Sequence, residues 1–155
     1  MLEGFLPLRL TIEGLEAHRA TQKYPRPRAH RPRATEVSME LQIEEPTPHV
    51  LILKPCVEHL DALVAGHFRE RTGPLVAGKL LVILDLDEVS SIDSSGLGAL
   101  VALLRAVPAG CHVRLANVKR NVRALFGLTR IDRLFRVFGS VLEALIAYEG
   151  AACRP

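Results

Sequence analysis

Residues 80–107 read LLVILDLDEVSSIDSSGLGALVALLRAV: an apolar run, a short acidic turn, and Asp93-Ser94-Ser95-Gly96-Leu97-Gly98 opening a second apolar stretch. Leu80 to Leu84 is too short to cross a bilayer and has the length of a strand covered on both faces, as in a parallel sheet. Downstream, Leu97, Leu100, Val101, Leu104 and Val107 fall on one helical stripe, with Ala99, Ala102 and Arg105 off it. Asp93, Ser94 and Ser95 carry side-chain oxygens suited to the free amides of a first helical turn, while Gly96 and Gly98 leave room for another backbone or a partner. Pro108 and Gly110 stop the helix. A hydroxyl is thus expected at a helix N-terminus beside a carboxylate, where a phosphate would change local charge strongly.

Working outward, residues 39–44 alternate apolar and polar as a half-exposed strand does. The Pro46-Thr47-Pro48 turn leads to a second strand over 49–53, and the two form a hairpin. Val57, Leu60, Val64 and Phe68 keep helical spacing until Gly73-Pro74. After the central strand and helix come a strand at 112–116, a helix over about 120–127 with Val122, Leu125 and Phe126 inward, and a strand at 134–138. Ser140 and Glu143 make a capping box ahead of Leu142, Leu145 and Ile146. The alternation of strands and helices implies an α/β single domain: a mixed, mostly parallel sheet with the N-terminal hairpin at one edge and about four helices.

The DSSGLG string, set between a VILDL-type strand and an apolar helix, resembles the anti-sigma-factor antagonists, small bacterial proteins of the STAS domain class. Similarity runs from about Met39 to Tyr148, including the strand His112-Val113-Arg114-Leu115-Ala116, the segment from Val122 to Thr129, and Leu134-Phe135-Arg136-Val137 before the last helix. The resemblance implies that Ser94, directly after the motif aspartate, is phosphorylated by a partner anti-sigma serine kinase. Ser95 is its neighbour and not the expected target. It further implies that Asp93, Ser95, Gly96, Leu97 and Gly98 touch the partner, and that a metal-dependent serine phosphatase resets the protein. The nucleotide belongs to the kinase, so no cofactor is expected here. Two positions depart from the family. Where members commonly have a glycine and then an acidic, leucine, aspartate turn that touches the kinase, this chain has Lys54-Pro55-Cys56-Val57-Glu58-His59, with Glu58 as the candidate acidic contact. Before the third helix a serine-proline cap is replaced by Lys119-Arg120, either a slightly costly solvated helix start or a basic rim facing an acidic partner surface.

Residues 1–38 differ from the remainder. They hold seven Lys and Arg against four acids, so they carry the whole net charge of +3, while the other 117 residues hold thirteen of each sign. The stretch YPRPRAHRPR at 24–33 combines prolines with like charges and is expected to be disordered. It reads as a solvated basic extension or as an overextended gene start, Met39 then opening a domain over 39–150, with 151–155 a flexible tail. Basic tails of this kind can bind nucleic acid or acidic membranes through phosphate contacts, but this one lacks aromatic interleaving and a recognition motif, so a solvated tail is the expectation, and no direct nucleic-acid binding by the folded domain is expected. Glu3 and Glu13 flank the early apolar patch, and no apolar run reaches the length of a membrane helix; a cytoplasmic protein without membrane association is expected. Cys56, Cys111 and Cys153 lack CxxC spacing and read as reduced thiols. The histidines lack metal-ligand spacing, and His59 and His67, eight apart on one expected helix, read as two exposed side chains.

These observations favour an interaction protein over a catalyst: an antagonist that binds its kinase when unphosphorylated and is switched off at Ser94, regulating transcription by partner switching. The competing class is a STAS scaffold or an accessory subunit of a lipid-transport ATPase, in which the turn only docks. An enzyme is disfavoured, because no serine-histidine-acid set or phosphate-cradling GxxxxGK[ST] loop occurs at a recognisable spacing.

Overall fold

The computed structural model describes residues 38–152. Of the basic extension expected at 1–38 all but Ser38 lies outside the described residues, as do Cys153 and the last three residues of the tail expected at 151–155, whose first two, Ala151 and Ala152, end the last helix. The described elements are β1 (Glu40–Thr47), β2 (Val50–Cys56), β3 (His59–Leu60), α1 (Ala62–Thr72), β4 (Leu81–Asp85), β5 (Ser91–Ile92), α2 (Ser94–Ala106), β6 (His112–Ala116), α3 (Arg120–Thr129), β7 (Arg136–Phe138) and α4 (Val141–Ala152), with single 3-10 turns at Gly73–Val76 and Ile131–Arg133.

Five strands form one sheet in the order β1-β2-β4-β6-β7. The first pair is antiparallel and the others are parallel, so the expected hairpin does close one edge. Strand period assigns side chains to the two faces. Leu51, Leu53, Val82, Leu84, Val113 and Leu115 pack under α1, α2 and α3, whereas Val50, Ile52, Leu81, Ile83 and Ala116 pack under α4 alone. Central β4 is sealed from both sides, with Leu81 to Leu84 at 0% exposure, as its uninterrupted apolar run requires. Leu80, outside the strand, is exposed.

Several boundaries differ from expectation for definable reasons. The hairpin turn is at Pro48-His49; β1 runs on through Pro46, which lacks a donor but sits on an edge strand where the register shifts between Glu44 and Thr47. The turn is held from below by Lys79, whose Nζ donates to the Pro48 carbonyl (3.0 Å) and pairs with Glu45 (3.2 Å). The first helix starts at Ala62 and not at Val57, because His59 and Leu60 are drawn into pairing with Ser91 and Ile92. His59 and His67 therefore do not share a helix. The buried stripe of α2 is Gly96, Ala99, Leu100 and Leu103, turned by one residue from the expected one: Ala99 is fully buried, and Leu97 and Leu104 are half-buried flanks. The small Ala99 is what lets the helix lie close. The expected strand at 134–138 is shortened to Arg136–Phe138 by the 3-10 turn ahead of it. On α4, Ala144 is buried with Val141, Leu145 and Tyr148 around it, while Leu142 and Ile146 face outward. Its capping box is present in shifted form: Ser140 Oγ accepts from Glu143 N (3.1 Å), but the Glu143 carboxylate reaches back to Gly139 N (2.8 Å).

One charge is buried in the α4 layer. Arg114, on β6, is 3% exposed; its Nη1 donates to the Ala144 carbonyl (2.7 Å) and its guanidinium stacks on Phe138 and Tyr148 at 5.1 and 5.6 Å. Among the described residues its Nε has no partner. Burial, reinforced by nearby Arg136, pulls its pKa below the ordinary guanidinium value. The two rings and one carbonyl offset only part of the desolvation. Arg114→Ala is expected to lose about 2–4 kcal/mol in urea denaturation through the lost hydrogen bond and the cavity. Arg114→Met, of similar reach and with nothing to desolvate, is expected within about 1 kcal/mol of wild type; equal losses in both variants would show that the charge itself holds α4.

Candidate functional site

The site is built where two helices begin side by side. Asp93 is extended (φ −98°, ψ −175°) and caps α2: its Oδ1 accepts from Gly96 N (2.9 Å) and its backbone carbonyl from Leu97 N (2.9 Å). Its other oxygen, Oδ2, accepts from Ala62 N (3.2 Å) at the start of α1. One carboxylate therefore meets two positive helix ends. Asp61 caps α1 in its own right, its Oδ1 accepting from Leu63 N (2.9 Å).

The β3–β5 pair sets this spacing. His59 lies opposite Ser91 and Leu60 opposite Ile92, and Asp93 N donates to the Leu60 carbonyl (3.3 Å). Gly96 sits directly on that strand: a Cβ there would fall 2.0 Å from the Leu60 oxygen and 2.8 Å from Ile92 Cγ2. No side chain fits. Gly98 is the opposite case, exposed and with open space where a Cβ would go.

The motif residues thus divide. Asp93 and Gly96 hold the architecture, and Leu97 packs on the core edge. Ser94, the first residue of α2, is exposed, and among the described residues no group hydrogen-bonds its Oγ. Ser95 is half-buried beside it. Glu58 is exposed, and its backbone carbonyl accepts from Ser90 N (2.8 Å) and Ser91 N (3.2 Å), which brings it next to the strand that feeds the motif. Asp87 and Glu88 pair with Lys54 at 3.6 and 3.4 Å. The Glu88 hydrogen bond, aided by the charges of Asp85, Glu88 and Asp87, raises the Lys54 pKa despite the opposing effect of desolvation.

Sequence reading missed several neighbours. Asp61, an aspartate directly before a helical run, carried a recognisable cap signal. Less legible were His59, whose Nδ1 lies 2.7 Å from Ser91 Oγ, and the anchor of the start of α3 on Ser90, just ahead of β5. That anchor joins Lys119 Nζ to Ser90 Oγ (3.0 Å) and Asn121 to the Ser90 carbonyl. These contacts join residues about thirty apart. Burial raises the thiols of Cys56 and Cys111 above their ordinary pKa, which lowers the thiolate fraction on which thiol reactivity depends. Among the described residues no cluster of His, Cys, Asp and Glu could hold a metal ion, and no helix is long and apolar enough to cross a membrane.

The STAS domain model matches residues 41–144, from the first strand into α4. The chain belongs to the STAS domain family. The curated relatives it matches are named as anti-sigma factor antagonists, while the solved structures that share the fold also include a sulfate transporter family protein of Wolinella succinogenes, 19% identical at a TM-score of 0.59, with 66% of this chain and 87% of that chain covered. The anti-sigma-B factor antagonist of Listeria monocytogenes is 34% identical over 90 residues, 52% of this chain and 69% of that protein. A Thermotoga neapolitana protein, named for its homology to an anti-sigma factor antagonist, is 31% identical over 70 residues; the match covers 44% of this chain and 62% of that protein, less than two thirds of its length. The Bacillus antagonist SpoIIAA, solved in unphosphorylated and phosphorylated forms, shares the fold at 19% identity and a TM-score of 0.55, with 70% of this chain covered and 96% and 99% of the two SpoIIAA chains.

Three substitutions separate the two kinds of motif residue. In chemical denaturation of this STAS domain, Gly96→Ala is expected to lose about 3 kcal/mol, since a backbone oxygen must move, and Asp93→Ala about 1–2 kcal/mol, since two helix amides lose their acceptor. Gly98→Ala is expected to gain about 0.5–1 kcal/mol by removing an unneeded helix glycine. A loss at Gly98 would mean that this position is packed.

Proposed function

We propose that the protein is an anti-sigma factor antagonist that binds an anti-sigma serine kinase in its unphosphorylated state and is switched off by phosphorylation at Ser94. The observation that carries this reading is the exposed, unengaged Ser94 hydroxyl at the first position of α2, beside a cap that fixes the turn without using it. Ser94, Ser95, Leu97 and Gly98 form the contact with the partner, and Glu58 borders it; Asp93 contributes by holding the turn. The open space at Gly98 supports close approach of another backbone. The antagonist names of the curated relatives support the binding of an anti-sigma factor. The existence of a phosphorylated form of SpoIIAA supports a switch by phosphate. The role is regulatory and not catalytic, and a metal-dependent serine phosphatase restores the active form.

The switch follows from charge. A phosphate places about −1.5 to −2 at Ser94. The fold tolerates it, because a helix N-terminus favours an anion through its dipole and free amides. The docked partner does not. At an effective dielectric of ~20, one added charge ~5 Å from a like charge costs about 3 kcal/mol before salt screening, and about 2.8 kcal/mol is a hundredfold in affinity. Repulsion and bulk at one interfacial serine suffice without a global rearrangement.

Incubation with the anti-sigma kinase and ATP is expected to add one phosphate to the wild type, by intact-protein mass, and none to Ser94→Ala. Ser94→Asp is expected to weaken the complex at least tenfold in calorimetry while the melting temperature stays nearly unchanged. Phosphate uptake by Ser94→Ala, or a large stability loss in Ser94→Asp, overturns the assignment of Ser94.

A further inference from the structure

Of the cations in the segment that closes the sheet, the fold uses Lys119, which anchors on Ser90, and Arg136, which lies over the Phe138 ring at 6.0 Å, and leaves the other four without a described partner. Lys119, Arg120, Arg123, Arg130, Arg133 and Arg136 are all exposed within eighteen residues, with Asp132 the one acid between them. None of the six forms a salt bridge with a described carboxylate. This arrangement works against the fold at three points. Lys119 occupies the N-cap of α3 without a side-chain cap bond, and Arg120 follows in the first turn, so two cations face the positive end of a helix. Arg130 closes the same helix at φ 61°, a left-handed conformation that glycine or asparagine adopts more readily. The six like charges also repel one another. Where local rules are broken together, a function that offsets the cost is the expected reason.

Two observations say what the rim faces. First, one end of it adjoins the strand that feeds the Ser94 turn: Lys119 and Asn121 at the start of α3 bond Ser90, three residues before Asp93, while Arg130, Arg133 and Arg136 follow the far end of the helix, about 15 Å along. Second, the rim carries apolar side chains as a protein interface does. Five of the six cations are arginine, suited to paired contacts with carboxylate as with phosphate. Leu128 (83% exposed) and Leu134 (50%) offer apolar contact among them, while the aromatic residues that would stack on bases, Phe126 and Phe135, are buried.

We propose that this basic rim is the steering half of the surface that binds the anti-sigma factor, and that the face of the anti-sigma factor opposite α3 and β7 is acidic. The inference rests on the functional reading above. Opposite potentials at the two faces speed diffusional encounter and set orientation, an effect that salt screens. The rim acts on arrival, and the Ser94 turn decides whether the complex stays. A phosphate on Ser94 adds negative charge toward the Lys119 end of the rim, so the modification that blocks docking also weakens the approach.

The test is stopped-flow association of the full chain with its anti-sigma factor, from 50 mM to 500 mM salt, for wild type and the variant Arg120→Glu/Arg123→Glu/Arg133→Glu. Replacing Arg120 by an acid suits the helix N-terminus, so the variant is expected to fold, and its melting temperature checks this. The expected result is an association rate at least tenfold lower at 50 mM salt, a gap that closes at 500 mM, and a dissociation rate within twofold of wild type. Equal, salt-independent association of the two proteins overturns the inference while the functional reading stands. A wild type that does not bind the anti-sigma factor overturns both. Unchanged association together with retention of a 20-base-pair DNA duplex by the wild type, lost in the variant, assigns the rim to nucleic acid and also overturns the proposal.

Discussion

A single carboxylate between two helix ends fixes everything around it. Asp93 accepts from the first turns of α1 and α2 at once, so the start of one helix cannot shift without the other. Two positive helix dipoles aimed at one region would repel; the negative charge between them turns that repulsion into attraction. The contact of Gly96 with the Leu60 carbonyl sets the distance, because any side chain there would wedge α2 from the β3–β5 pair. The exposed hydroxyl of Ser94 is therefore presented on a rigid support, the condition under which a docking surface recognises its partner without first having to order itself.

The six-residue motif carries two separate demands. Its inward members, Asp93 and Gly96, answer to packing and capping. Its outward members, Ser94 and Gly98, face solvent and are the ones that the proposed docking uses. Reading the whole string as one contact surface, as the sequence invites, mixes the two. The half-exposed flank of Leu97 and the open Gly98 belong to the surface, whereas Asp93 acts mainly through the backbone it holds.

How far the fold was legible depended on how local its causes are. The central strand announced itself because β4 is covered on both faces and needs no polar residue. The hairpin, the parallel order and the four described helices followed from period and breakers. Errors arose where long-range pairing overrode local pattern. Val57 and Leu60 have helical spacing to Val64 and Phe68, yet Leu60 is taken by Ile92, thirty-two residues away. The stripe of α2 was misplaced by one residue because hydrophobicity favours large side chains, while the close approach to the sheet selects Gly96 and Ala99. Leu142 and Ile146 were grouped with Leu145 by composition, but Ala144 makes the closest contact. Around the motif, the place of Ser94 at the start of α2 and the helix cap of Asp93 were legible; the anchoring of α3 and the second helix end held by Asp93 were not, since both are made in space.

The unequal layering of the sheet bears on how the chain is made. Three helices shield one side, and their sequences leave the ribosome interleaved with the strands they cover. The opposite side, with Val50, Ile52, Leu81 and Ile83, waits for a single cover over residues 141–152. A nascent chain would therefore carry this apolar face uncovered from the completion of β4 until residues 141–152 are made, and the last described helix would close it, with the guanidinium of Arg114 beneath to donate to the Ala144 carbonyl.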